Sequence, residues 1–260
     1  MTEGERRLAL DAIAAEVRAC TRCPLHTGRT LAVPGEGSAS TEVVFVGEGP
    51  GFNEDRQGRP FVGRAGGLLT TLIGSVGWRR EDVYITNIVK CRPPENRDPE
   101  PAEIEACMPF LRRQLEVLDP ALIVTLGRHS MGRFMPGARV SQAHGTTRPA
   151  DPASGARDAL VFAMYHPAAA LRTPEIERQS RADMTAVPGA LLAARERRAA
   201  AHVAGASAPV RSTTGAETTT PVAGPASPAV AKPEPAVIET ALPAMDRPAE
   251  DAPIDQMTLF

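Results

Sequence analysis

Residues 42–51 read Glu42-Val43-Val44-Phe45-Val46-Gly47-Glu48-Gly49-Pro50-Gly51. The apolar run from Val43 to Val46, closed by Gly47, is the pattern of a short strand buried on both faces. Three glycines and a proline then fix an irregular backbone that a ligand can approach closely. The loop is not the dinucleotide fingerprint, because its third glycine comes one step too early for G-x-G-x-x-G. Nor is it a phosphate loop, since no Gly-Lys-Ser/Thr follows.

The same alternation continues on either side. Residues 3–19 predict an amphipathic helix, with Leu10, Ile13, Ala14 and Val17 on one face. Arg64–Val76 reads as helical and Val83–Thr86 as extended. Pro101–Leu118 reads as a helix starting on Pro101, where a missing N–H costs nothing, with a kink or split expected at Pro109. Ala121–Leu126 and Ala159–Met164 read as further strands. Pro174–Arg198 reads as helical and divided by Pro188. Strands alternating with helices argue for an α/β fold with a parallel sheet covered on both faces. Ligands in such sheets sit outside the carboxyl ends of the strands, so the loops after the strands should carry the chemistry.

Composition separates the chain into a body and a tail. Residues 201–260 hold 14 Ala and 9 Pro, with no Cys, Trp or Tyr and Phe260 as the one aromatic. Such a segment buries too little apolar surface to offset its ordering entropy and is expected to be disordered. The domains expected are therefore 1–200 and 201–260. The tail carries 3 of the 29 Lys+Arg and 7 of the 31 Asp+Glu, which leaves 26 against 24 in the body. A faintly basic body thus precedes an acidic tail. No apolar run approaches the roughly 18 residues of a membrane span. The charged N-terminus lacks the apolar stretch of a secretory signal, so a reducing cytoplasmic compartment is expected.

All four cysteines fall in the body. Cys20-Thr21-Arg22-Cys23 is a C-x₂-C knuckle, and Cys91 and Cys107 are separated by fifteen residues. In a reducing compartment four thiols favour a metal or cluster site over disulfides. On spacing alone Zn²⁺ and an iron–sulfur cluster stand about even.

The expected strand ends gather a distinctive set. Glu54-Asp55-x₂-Gly58-x-Pro60-Phe61-Val62-Gly63 is a polar loop ending in an aromatic; Thr86-Asn87 ends a strand; His166-Pro167-Ala168-Ala169-Ala170-Leu171-Arg172 follows the last one. A carboxylate, an aromatic, a carboxamide and an imidazole can stack a planar polar ring and read its edge.

GEGPG, EDxxGxPFVG, TNIVKCRPP, the cysteine set and HPAAALR together resemble the family 4 uracil-DNA glycosylases, the iron–sulfur branch of that superfamily, over about residues 16–195. The resemblance implies a three-layer α/β/α fold around a central four-stranded parallel sheet. It also implies a [4Fe–4S] cluster on Cys20, Cys23, Cys91 and Cys107, and uracil-containing DNA, single or double stranded, as substrate. Asn87 matches the amide that reads uracil, donating to O4 and accepting from N3–H. Phe61 matches the residue that stacks the flipped ring, and His166 the imidazole that donates to O2 as the base departs. Glu48 matches the position that holds the attacking water, and Gly49 N–H is a second donor to the leaving base. Glu54 either sits near the C5 edge or orders its loop. Leu171 and Arg172 match a wedge and phosphate contact. The family 1 enzymes place an Asp one step after the Glu48 position, where Gly49 stands here, so leaving-group stabilisation must recover that lost rate. Their methyl-blocking Tyr is replaced by Gly51. No His lies between Lys90 and Cys107, so the DNA-trapping insertion of some relatives is absent.

The last five residues, Gln256-Met257-Thr258-Leu259-Phe260, resemble a sliding-clamp-binding pentapeptide. Leu259 and Phe260 would enter an apolar pocket, with Gln256 at its rim and Met257 between. The expectation is a monomeric, nucleoid-associated repair glycosylase tethered to the clamp. A non-catalytic iron–sulfur damage sensor and a zinc-bound nucleotide-binding protein are the competing readings.

Overall fold

The computed structural model describes residues 1–206. Six strands form one sheet: β1 (Glu36–Gly37), β2 (Val43–Gly47), β3 (Tyr84–Asn87), β4 (Leu122–Leu126), β5 (Thr147–Pro149) and β6 (Leu160–Met164). Their order is β1-β3-β2-β4-β6-β5. The inner four are parallel, as expected, while the edge strands β1 and β5 pair antiparallel to β3 and β6. The expected central four-stranded parallel sheet is therefore present, and two short antiparallel edge strands extend it to six. The added strands are two and three residues long and carry no apolar pattern, so they have no sequence signal.

Nine α-helices occur among the described residues: α1 (Glu3–Ala19), α2 (Leu25–Gly28), α3 (Phe52–Gln57), α4 (Arg64–Ser75), α5 (Pro101–Leu118), α6 (Arg128–Phe134), α7 (Val140–Ala143), α8 (Pro167–Ala170) and α9 (Pro174–Ala206). Alternate residues of the parallel strands feed opposite layers. Val43 and Phe45 join Leu122, Val124 and Phe162 under α4 and α9, whereas Val44 and Val46 join Ile123 and Val161 under α1 and α5. This is why β2 is buried throughout.

Neither α5 nor α9 is split at its proline. The helix α5 runs through Pro109, and α9 through Pro188. Pro109 and Glu105, whose carbonyl it frees, both face solvent, where water can satisfy that carbonyl. Around Pro188, Met184, Val187, Ala190, Leu191 and Ala194 are all buried in the core. Burying them outweighs the roughly 3 kcal/mol that an interior proline costs.

The chain leaves β2 toward β3 on one side, and β4 lies on the other. Loops therefore diverge at the carboxyl end of β2 and open a crevice there. No helix among the described residues is long and apolar enough to cross a membrane. The helix α9 runs through Ala206, six residues past the boundary expected at 200; residues 207–260, with the pentapeptide 256–260 and the rest of the segment expected to be disordered, lie outside the described residues.

Candidate active site

The crevice is a cleft of about 540 Å³. Glu48 and Gly49 after β2, Glu54 on α3, Phe61, Asn87 at the end of β3, and His166 and Arg172 after β6 all line it. Leu171 stands next to this lining, 37% exposed at the end of α8.

Strand pairing places Asn87 opposite Gly47, and Ile88 N–H donates to Gly47 O at 3.0 Å. Asn87 is 1% exposed, yet its Oδ1 has no hydrogen-bond partner. A buried amide oxygen left this way costs about 1–3 kcal/mol, which a ligand's N–H would recover. Gly47 makes the arrangement sterically feasible. A Cβ there would fall 2.4 Å from Asn87 Oδ1 and 2.5 Å from Phe61 Cζ. Phe61 itself holds φ at 49°, the left-handed region that bulky residues avoid, which is a strain typical of ligand sites.

His166 caps α8: its Nδ1 accepts from Ala168 N–H at 3.1 Å. An acceptor at Nδ1 puts the neutral ring's single proton on Nε2. Burial pushes the imidazole down to about 4, with the Arg172 guanidinium acting in the same direction. The ring lies 5.7 Å from Phe61, centroid to centroid. Gly127, at φ 90°, allows this approach, since a Cβ there would meet His166 Cβ at 2.8 Å.

Glu54 lines the cleft and also makes contacts within its loop. Its Oε1 accepts from Val62 N–H and Gly63 N–H, both at 2.9 Å, so it orders the loop that carries Phe61. Burial raises the Glu48 carboxyl, with the nearby Asp98 charge adding to the effect. His129 Nε2 stands 3.8 Å from Glu48 and 3.3 Å from Asp98, whose other oxygen pairs with Arg128. Sequence reasoning assigned Asp98 and His129 no role. His129 follows the strand-closing Gly127 by two residues, a position that could have been noticed; Asp98 sits in an irregular loop with no periodic signal.

The four cysteines come together in a second cavity, with Val17, Lys90 and Phe110 in its wall. They arrive from the end of α1, the loop after β3 and the middle of α5. Burial pushes the Cys107 thiol up to about 11 and Cys91 in the same direction, so a cation is needed to hold them as thiolates. Among the described residues, no three of the four sulfurs lie within 4.8 Å of one another. Four thiols converging from three segments on one cavity are a donor set that fits a metal or an iron–sulfur cluster. Lys90 links the two cavities. Its N–H donates to Cys107 Sγ at 3.3 Å, and its buried Nζ donates to Asn87 O at 2.8 Å, Gln114 Oε1 at 2.7 Å and Thr86 Oγ1 at 2.6 Å.

The model of the uracil DNA glycosylase superfamily matches residues 34–186, which span every one of these cleft residues. This chain belongs to that superfamily. It is 50% identical over 186 residues to the Type-4 uracil-DNA glycosylase of Saccharolobus solfataricus, covering 70% of this chain and 86% of that one. The Type-4 uracil-DNA glycosylase of Thermotoga maritima is 48% identical over 167 residues, 64% of this chain and 85% of its own. That of Archaeoglobus fulgidus is 44% identical over 180 residues, 67% and 89%. In this superfamily member the cleft residues and the thiols occupy separate cavities joined by β3 and the loop after it.

Proposed function

We propose that the chain is a monofunctional uracil-DNA glycosylase of DNA repair, which flips deoxyuridine into the cleft and hydrolyses its N-glycosidic bond, leaving an abasic site. The observation that carries this reading is the buried, unpartnered Asn87 Oδ1 at the cleft floor. Uracil presents N3–H to that oxygen and O4 to the amide nitrogen; cytosine presents the reverse pattern and leaves both sides unpaired.

Phe61 stacks the flipped ring. His166 Nε2–H donates to O2 as negative charge collects on the leaving base, and a neutral donor suits this because it gives up no proton. Glu48, with Asp98 and His129 beside it, holds the attacking water. Its oxygen bonds C1′, the C1′–N1 electron pair leaves with uracil, and the carboxylate takes the water proton. Gly49 N–H is a second donor to the base. Leu171 fills the gap in the stack and Arg172 meets a phosphate.

The body, residues 1–200, acts as a monomer and carries a [4Fe–4S] cluster on Cys20, Cys23, Cys91 and Cys107. When bound, the cluster supplies a cross-link between α1, the loop after β3 and α5. The tail, 201–260, tethers the enzyme to a sliding clamp through Gln256, Met257, Leu259 and Phe260, raising its local concentration without fixing geometry.

The test is incubation of the purified protein with uracil-containing single and double strands, followed by alkali. Cleavage over many turnovers is expected, with large losses in Asn87→Ala and His166→Ala. Strands left intact, or a single turnover per enzyme, overturn the reading.

A further inference from the structure

Phe52 follows Gly51 of the cleft lining and is 51% exposed, one of six exposed large apolar side chains among the described residues. Two guanidinia stand against its ring: Arg92 at 5.2 Å and Arg56 at 5.5 Å from the centroid. Arg92 precedes Pro93, which also lines the cleft, and it donates to the neutral Asn96 at 2.7 Å. Among the described residues neither Arg56 nor Arg92 has a carboxylate within 4.0 Å. The neighbouring guanidinia differ, since Arg97 is held by Glu103 and Arg128 by Asp98. An exposed aromatic with two uncompensated cations, each next to or near a residue that lines the cleft, has the features of a site that stacks a base and meets its phosphates.

We propose that Phe52, Arg56 and Arg92 form a platform for the single-stranded nucleotide flanking the flipped uridine. Phe52 stacks the neighbouring base as the two guanidinia, which stand over its ring in the free protein, turn to the phosphates around it. A base paired within a duplex keeps its faces covered, so the platform favours single strands. The inference rests on the glycosylase reading and adds strand preference to it.

The experiment begins with wild-type cleavage of uracil strands, whose absence would defeat the glycosylase reading itself. Binding is then measured with single- and double-stranded oligonucleotides carrying a non-cleavable deoxyuridine analogue. Phe52→Ala is expected to weaken single-strand binding at least about fivefold and duplex binding much less. Phe52→Trp is expected to restore it, with the introduced indole quenched on binding. Removing both charges in Arg56→Gln/Arg92→Gln should make the single-strand salt dependence shallower by about 1.4, at roughly 0.7 for each phosphate no longer neutralised. Normal cleavage combined with unchanged Phe52→Ala affinity, an equal loss on both strand types, or an unquenched indole overturns the platform and leaves the glycosylase standing.

Discussion

Replacing His166 by Asn tests the protonation state on which the proposed chemistry depends. Asn keeps an acceptor able to cap α8 at Ala168 N–H, but it does not titrate. In the native fold the imidazole falls from 6.5 to about 4, chiefly through burial. Between those values the unfolded chain binds a proton that the folded chain does not, so stability falls as pH drops from 6.5 toward 4. At 1.36 kcal/mol per pH unit the loss reaches about 3 kcal/mol, and nearly all of it accrues below pH 6.5. Urea unfolding of wild type and His166→Asn at several pH values from 8 to 4 measures it, because every other titrating group contributes to both proteins. The wild type should lose about 3 kcal/mol more than the variant across that range. Parallel stability curves would refute a neutral, buried His166.

Gly47→Ala should abolish detectable uracil excision while the protein stays folded, because the new Cβ occupies the space of Asn87 Oδ1 and Phe61 Cζ; steady-state assay and circular dichroism check both halves. Purified protein should be brown with broad visible absorption, and Cys107→Ser should lose that colour; a colourless wild type containing zinc would defeat the cluster proposal. Lys90→Met leaves Asn87 O, Gln114 Oε1 and Thr86 Oγ1 without their shared donor, so kcat/KM on uracil strands should drop at least about tenfold. Unchanged kcat/KM would show that the peptide of Asn87 needs no such support. Deleting residues 256–260 should abolish binding to a sliding clamp and spare cleavage of short oligonucleotides; unchanged clamp affinity would sink the tether.

Periodicity and punctuation determined the inner sheet. Val43–Val46, Ala121–Leu126 and Ala159–Met164 are apolar on both faces, a pattern that commits a short segment to a buried parallel strand before any partner is known. Because ligand sites in such sheets lie at the strand ends, Glu48, Asn87 and His166 could be placed in one cleft from the chain alone. Local rules failed where tertiary burial overrode them. Pro109 and Pro188 read as breaks, but packing on the sheet carried α5 and α9 through. Strands β1 and β5 exist only because an edge was open to pair with.

The chemistry divides in the same way. Residue type and order identify the amide, the imidazole and the four thiols. Only the folded chain decides that Asn87 Oδ1 is orphaned, that His166 carries its proton on Nε2, and that Glu54 orders a loop. Asp98, His129 and Lys90 gained their places only through contacts with residues distant in sequence or with cavities formed on folding. Desolvation and unmet hydrogen bonds depend on what surrounds a group in three dimensions. A sequence names the groups, and the fold sets their protonation, their partners and the ligand they await.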